Sequence, residues 1–317
     1  MRPRSATSSR PTPSTCTLYR SEQGADEPRT LHLYAYVAND PVDNVDPNGL
    51  SFWSVVGAIV GVVVGVVVAA VVIVAFATGI GWGILAIVGL IGLVTAGYLL
   101  ARETRGTGFG EFMRGFLIGL NAGLNMVFAA ALVGLLLGPV GVGLGIALGV
   151  INFLAAFDTI ANSEVYQGIL GWSNWLMPMS WLVVGMGLIM FVVNAIGHAI
   201  GWWIFRAEFF RIQEMRVDWK TGTIFTKGGW VSNLNAWDTA FNMGNFAFVD
   251  MNATDGHMEH EAGHTLNLAA FGSVFHFVGF FDEVIFGNGG DAYAERIADG
   301  NDPNHGRPAS EIVPMWV

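Results

Sequence analysis

A long stretch almost free of charge constrains this chain more than any other feature. Residues 51–205 contain only seven Asp, Glu, Lys or Arg residues, and residues 51–100 contain none. A helix of about 20 apolar residues spans the hydrocarbon core of a bilayer. The mean hydropathy of the whole chain, +0.51, is also too high for an ordinary soluble globule. These features predict a multi-pass membrane protein in contact with membrane lipids.

Five segments of this stretch are long enough to cross a membrane as helices. They are residues 55–77, 79–100, 116–136, 139–157 and 177–204. The sequence therefore predicts four or five membrane segments arranged in hairpins, the count depending on segment 139–157.

Glycines recur at every fourth residue in three parts of this stretch. The three sets are Gly57, Gly61 and Gly65, then Gly115, Gly119 and Gly123, then Gly141, Gly145 and Gly149. Residues four apart share one helix face, where small side chains let helix backbones approach closely in lipid. Asn121 and Asn125 have the same spacing. The favoured interpretation is close packing within a membrane anchor. The alternative is a set of helices that insert together and line a pore.

Charge and cysteine content exclude several classes of function. The net charge of −10 argues against a nucleic-acid-binding protein, which would need cationic contacts to phosphate. Cys16 is the one cysteine of the chain, so an internal disulfide and a cysteine-rich zinc site are both excluded. A metal ion would have to be held by histidines and carboxylates.

The first fifty residues differ from the apolar stretch. Residues 1–30 are rich in Ser, Thr, Pro and Arg, which predicts a disordered or truncated N-terminus. Residues 31–50 contain the runs Tyr36-Val37-Ala38-Asn39-Asp40-Pro41 and Asp46-Pro47-Asn48-Gly49-Leu50. These runs closely resemble the C-terminal boundary of the RHS-repeat core, which is the shell of bacterial polymorphic toxins.

The RHS resemblance carries expectations about the rest of the chain. In that family a variable toxin follows the Asp-Pro-x-Gly-Leu signature, and the core cleaves itself near this motif with the participation of aspartates. This chain carries Asp46 in the corresponding region. The resemblance implies that the residues after Leu50 form a secreted or delivered bacterial effector, with a dedicated immunity protein as partner.

Charge returns from residue 206, and local patterns there predict a small α+β domain at 206–317. Residues 215–219 and 223–226 flank Lys220-Thr221-Gly222, a hairpin signal. Residues 246–251 alternate as in a strand and precede the helical segment 258–266. That segment contains His260-Glu261-Ala262-Gly263-His264.

The His-Glu-x-x-His pattern predicts a metal site. A spacing of four residues places His260 and His264 on one helix face, where they can hold a divalent ion, most often Zn²⁺. Glu261 then lies beside the ion and is predicted to act as the general base of a hydrolase. A chance match to so short a motif is the alternative.

A catalytic zinc site needs a third protein ligand. Glu295 and Asp299 lie four residues apart in a predicted short helix with Asp291 as its N-cap. This pair resembles the gluzincin pattern, in which the Glu binds zinc and the Asp hydrogen-bonds a ligand histidine. We favour Glu295 as the third ligand. Glu283 is the alternative, although it lacks an acidic residue four positions later.

The other two histidines near the motif, His276 and His257, are not predicted to be metal ligands. His276 lies in the apolar stretch 271–286, so we expect a packed histidine within a buried core helix rather than a ligand. His257 is expected to support the site or to be incidental. The metzincin pattern fails, because the residues after His264 do not supply its glycine and third histidine.

The sequence thus predicts a mainly α membrane-helix bundle at 51–205, followed by a small α+β zincin-like domain. The favoured function is an RHS-associated toxin module with a zinc-dependent endopeptidase domain that hydrolyses a protein substrate of unidentified class. One alternative is a pore-forming or membrane-depolarising toxin, in which the glycine-patterned helices carry the activity. Another is a membrane anchor that carries a binding module and a fortuitous motif.

Overall fold

The structure is a computed structural model that describes residues 52–156, 163–234 and 240–301. The predicted N-terminal segment 1–30, the RHS-like segment 31–50 with Asp46, and residues 302–317 lie outside the described residues. The described residues belong to one compact unit that begins at Asn48.

The described chain is mainly helical, with a small mixed sheet near its C-terminal end, and this confirms the predicted fold class in outline. Its helices are α1 (Phe52–Thr78), α2 (Ile80–Glu103), α3 (Gly108–Ala155), α4 (Glu164–Ser173), α5 (Trp181–Gly197), α6 (Trp230–Leu234), α7 (Asp255–Phe280) and α8 (Tyr293–Ala298). Its strands are β1 (Ile212–Asp218), β2 (Thr223–Gly228), β3 (Ala240–Met243) and β4 (Phe246–Val249).

Five helical stretches of the described chain are long and apolar enough to cross a membrane. They are Phe52–Thr78, Ile80–Glu103, Gly108–Ala155, Pro178–Trp202 and Asp255–Ile285. The first four cover the predicted membrane segments. The fifth contains the His-Glu-x-x-His motif and was not predicted as a membrane segment.

Helix α3 is broken near its middle. Gly138 has φ 62° and ψ −145°, and Pro139 follows it. A Cβ atom on Gly141 would lie 2.1 Å from the carbonyl oxygen of Val133, and one on Gly145 would lie 2.4 Å from the backbone nitrogen of Ala130. The chain therefore folds back on itself, which agrees with the two predicted segments 116–136 and 139–157, except that Phe157 lies outside the described residues.

The glycine stripes of α1 and α3 face each other. A Cβ atom on Gly61 would lie 2.2 Å from the carbonyl oxygen of Phe116, and one on Gly119 would lie 2.0 Å from that of Ala58. The residue numbers of the facing positions increase in the same direction along both helices. Helices α1 and α3 therefore run parallel, and α2 connects them. The structure confirms the prediction that these stripes allow close helix packing.

We expect Gly119→Ala to lower the free energy of unfolding by about 1–3 kcal/mol, because the added methyl group meets backbone atoms that cannot move alone. Gly92→Ala in α2 is the matched control, since a Cβ atom there would have no neighbour within 4 Å. That control should leave the stability unchanged or raise it by up to about 1 kcal/mol. Unfolding in detergent micelles, followed by circular dichroism, measures both. Equal stability of the two variants would contradict the packing described here.

The strands form one sheet in the order β1-β2-β4-β3. β1 and β2 pair antiparallel, as the predicted hairpin requires, whereas β2 and β4 pair parallel. β3 pairs antiparallel with β4 and forms an edge of the sheet as far as the structure describes it. The sheet buries Phe225, Ala247 and Val249 against Met258 and Ala262 of α7. It therefore supports the helix that carries the motif.

Helix α7 breaks at Gly272, which has φ 82° and ψ 174°. A helix that ends leaves its last carbonyl groups without intrahelical partners. Side chains from the apolar helices satisfy them: Asn121 Nδ2 donates to the carbonyl oxygens of Ala269 (3.1 Å) and Ala270 (3.0 Å), and Asn152 Nδ2 donates to that of Ala269 (3.2 Å). These bonds anchor the end of the first part of α7, residues 255–271, to α3. This part carries the motif.

One hydrophobic core joins the apolar helices to α7 and α8. It contains Leu117 and Leu120 of α3, Leu266 and Phe271 of α7, and Ile297 of α8. The predicted boundary at residue 205 therefore separates two segments that share a core.

The predicted burial of residues 271–286 is correct only for their first part. Phe271 and Phe275 are buried, whereas Phe280 is 50% and Ile285 64% exposed. The shared core extends past the break at Gly272 as far as Phe275, whereas the large apolar side chains from Phe280 onward lie outside it.

Candidate metal centre

The first part of α7, which precedes the break at Gly272, begins with a capping box. The Oγ1 atom of Thr254 accepts from the backbone N–H of His257, and the backbone N–H of Thr254 donates to His257 Nδ1 (3.1 Å). His257 therefore stabilises the start of the helix, and no contact with His260, His264 or Glu295 is among its described hydrogen bonds. One turn further on, His260 and His264 share a face of the helix.

Three side chains converge on one point beside this face. The Nε2 atoms of His260 and His264 lie 3.1 Å apart, and Glu295 Oε2 lies 3.0 Å from the first and 3.2 Å from the second. These residues form the group of possible metal ligands in the described chain. Donors bound tetrahedrally at zinc distances are about 3.3 Å apart, so the observed triangle is close to that geometry.

The chemistry of the donors also fits a cation. His260 Nδ1 lies 2.9 Å from Asp299 Oδ1, so its N–H donates to that carboxylate. In the neutral ring the lone pair then lies on Nε2 and points toward Glu295. Lone pairs of two imidazoles and a carboxylate facing each other repel, and a shared cation removes that repulsion. Asp299 therefore occupies the position expected of it, hydrogen-bonded to His260.

Burial and the neighbouring histidines act in opposite directions on Glu295. Burial raises the pKa of its carboxyl, but when the two imidazoles are protonated the charge and hydrogen bonds of His264 and His260 outweigh this effect and hold that pKa below its usual value. The ionised form, which is the one that ligates metals, is therefore maintained at neutral pH.

Two close contacts fix α8 against α7. A Cβ atom on Gly263 would lie 2.5 Å from the carbonyl oxygen of Ala298, so the glycine inside the motif lets α8 approach. Asn267 Nδ2 donates to the carbonyl oxygen of Ala294 (3.0 Å), the residue before Glu295. The prediction of Asp291 as the N-cap of this helix is wrong. Ala292 is the N-cap, because Asp291 belongs to a preceding 3₁₀ turn and its Oδ1 accepts from Arg296 (2.9 Å).

Helix α2 also holds the helix of Glu295 in place. The hydroxyl of Tyr98 donates to Asp282 Oδ2 (2.8 Å) and accepts from the backbone N–H of Ala294 (3.2 Å). Asp282 is in turn ion-paired with Arg102 of α2. Sequence reasoning missed this network, because no local pattern links Tyr98 to residues almost two hundred positions away.

The triad forms part of the wall of a cavity of about 750 Å³. Glu261 also lines this cavity and is itself 5% exposed. Glu283 lines it too, but lies outside the group of possible ligands, which contains Glu295 instead. The cavity therefore brings the predicted base and the predicted ligands to one space.

His276 lines the cavity beside His264, and it lies outside the group of possible ligands in the described chain. Its ring centroid is 6.4 Å from that of His264, whereas twelve residues of straight helix would separate the two by about 18 Å. The reversal at Gly272 brings it back, and it lines the cavity. A glycine within a long apolar run is the signal that could have indicated this reversal.

We expect Asp299→Asn to weaken metal binding by about 10–100-fold, because His260 loses the charged partner that sets its tautomer and orientation. Asp291→Asn is the matched control, as its side chain is 70% exposed and bonds Arg296. Competition with a chromogenic zinc chelator measures both dissociation constants. An unchanged constant in Asp299→Asn would show that Asp299 does not support the centre.

The arrangement combines two imidazoles, one carboxylate ligand, an orienting carboxylate and a further buried carboxylate at Glu261 beside a cavity. Such a centre can hold a divalent cation and place a proton acceptor next to it. No protein-family model, curated protein or solved structure matches this chain.

Proposed function

We propose that the chain is a zinc-dependent endopeptidase held at a membrane by its apolar helices, and that it is the effector module of an RHS-associated bacterial toxin. One observation carries the proposal: His260, His264 and Glu295 converge within 3.2 Å of one another on the cavity wall that also contains Glu261. Two imidazoles and one carboxylate form a ligand set of zinc peptidases that leaves a fourth position open.

The protein residues divide the chemistry among them. A zinc ion held by the triad would polarise the scissile carbonyl and make a water molecule easier to deprotonate. Glu261 accepts the proton of the attacking water and passes it to the leaving amine nitrogen. Asp299 keeps the Nε2 atom of His260 directed at the centre.

Strand β3 supports a peptide as the substrate. Ala240–Met243 line the cavity and form an edge of the sheet in the described chain. An extended peptide can pair with the backbone of an edge strand, which would hold a scissile bond beside the triad.

The effector part of the proposal depends on the apolar helices and on the RHS resemblance. Helices long and apolar enough to cross a bilayer share a core with α7 and α8, so they would hold the centre at a target membrane. The resemblance supports a delivered toxin, a protein substrate in the target cell and a cognate immunity protein.

Pore formation stays a prediction, and the buried asparagines give it no specific support. Asn121 donates to the carbonyl oxygens of Ala269 and Ala270, and Asn125 Oδ1 accepts from the backbone N–H of Met179 (3.0 Å). Both side chains are thus used in packing.

Metal removal tests the proposal. The full chain, purified in detergent, is incubated with a mixture of soluble proteins and detergent-solubilised membrane proteins, and new termini are identified by mass spectrometry. We expect cleavage that a chelator abolishes and that one equivalent of Zn²⁺ restores, with Mg²⁺ as the inactive control because it prefers oxygen ligands. Cleavage that survives complete metal removal, or no cleavage by the zinc-loaded protein, would refute the function.

A further inference from the structure

The mouth of the cavity is lined by exposed apolar side chains. Ile189 and Val193 of α5 line one side, and Phe280 and Val284 line another. All four are also substantially exposed at the protein surface, with Ile189 at 65% and Phe280 at 50%. Residues that both line a cavity and reach the surface form its rim. The cavity therefore opens between α5 and residues 280–284, at and after the end of α7.

One side of this rim belongs to a stretch that can cross a membrane, because Ile189 and Val193 lie in Pro178–Trp202. Phe280 and Val284 follow the break at Gly272 and add exposed apolar surface on the other side. At the depth of Pro178–Trp202 in a bilayer, this surface is in contact with lipid rather than water. Apart from Glu261 and Glu295 at the centre, Glu283 is the one charged carboxylate or cationic side chain in the described lining.

Resting on the proposed peptidase function, we infer that the substrate of the centre is an apolar, membrane-spanning segment of another protein. The segment reaches the triad sideways from the bilayer, through the mouth between α5 and residues 280–284. A polar, soluble peptide would find few partners for its side chains along this route, whereas apolar side chains match the lining.

The edge strand explains how such a segment could be cut. A membrane-spanning helix must unwind before hydrolysis, and each backbone group that loses its partner in an apolar environment costs several kcal/mol. Strand β3 lies in the same cavity and forms an edge of the described sheet, where the backbone of Asn242 bonds His276 and the other residues of the strand remain for pairing with a substrate. Pairing with β3 replaces part of the helical hydrogen bonds that the substrate gives up.

Two peptide sets and one pair of variants test this inference with the full chain. The first set consists of membrane-spanning peptides with about 20 apolar residues, randomised at the centre and reconstituted with the zinc-loaded protein in phosphatidylcholine vesicles. The second set carries the same randomised positions in a soluble Gly–Ser frame. Ile189→Asn makes the rim polar. Leu188→Asn is the matched control, because Leu188 is also exposed on α5 but does not line the cavity.

We expect the wild type to cleave the membrane-spanning set. Ile189→Asn should raise the KM for that set about tenfold, with kcat and zinc content unchanged, whereas Leu188→Asn should behave as the wild type. Cleavage of the soluble set alone, or equal KM values for the two variants, overturns the inference and leaves the peptidase function standing. If neither set is cleaved, the peptidase function fails and the inference fails with it.

Discussion

Glu261→Gln is expected to lower kcat for peptide hydrolysis by about 10²–10⁴-fold while the protein still binds one zinc ion. The glutamine side chain keeps the shape of Glu261 but cannot accept the proton of the attacking water. Glu261 is not one of the converging ligand groups, so the triad of His260, His264 and Glu295 should be unaffected. A loss of rate at constant metal content separates the base from the ligands.

Glu259→Gln provides the matched control for this substitution. It makes the same chemical change two residues earlier on the same helix, at a side chain that does not line the cavity. Its kcat and zinc content should equal those of the wild type. Full activity in Glu261→Gln would remove the general base from the mechanism, and equal losses in both variants would indicate a general disturbance of α7.

A fragment containing only residues 206–317 is expected to lose the metal centre, which is the second large effect. The part of α7 that carries His260 and His264 ends in carbonyl groups that accept from Asn121 and Asn152. The carbonyl of Thr265, in the same part, accepts from Asn174 (3.0 Å). All three donors lie outside the fragment. Tyr98, which bonds the backbone beside Glu295, is also absent from it.

The size of this effect follows from the number of groups left without partners. A buried polar group that loses its partner costs about 1–3 kcal/mol, and the total stability of a typical domain is only about 5–15 kcal/mol. The fragment would also expose the core faces of Leu266 and Phe275, which pack against the apolar helices. We therefore expect no stable fold and no stoichiometric zinc.

Metal analysis and circular dichroism of residues 206–317 check this, beside a control of residues 48–317. The control retains the whole compact unit that begins at Asn48 and should bind zinc as the full chain does. A fragment that folds and binds one zinc ion per chain would show that the apolar helices are dispensable for the centre.

Local spacing was sufficient to predict much of the site. His260, His264 and Glu261 follow from one helical motif, and Glu295 with Asp299 follows from a second pair four residues apart. The converging distances of 3.0–3.2 Å agree with that assignment. The glycine stripes were equally informative, because a stripe on one helix face implies a close neighbour.

The contacts that sequence reasoning missed are long-range or depend on one backbone conformation. The positive φ of Gly272 reverses α7 and returns His276 to the cavity, and an apolar pattern alone does not distinguish this from a straight buried helix. Tyr98 reaches the helix of Glu295 across 196 positions. Such a pairing depends on how the whole bundle packs, and no window of sequence contains it.

The central claim is that His260, His264 and Glu295 together bind one zinc ion. Zinc X-ray absorption of the metal-loaded full chain, with the metal content measured on the same sample, tests it most directly. We predict one zinc per chain with two imidazole nitrogens and oxygen ligands at about 2.0–2.2 Å, and loss of this signal in His264→Ala but not in His257→Ala. Substoichiometric zinc in the wild type, or an unchanged spectrum in His264→Ala, would contradict the account.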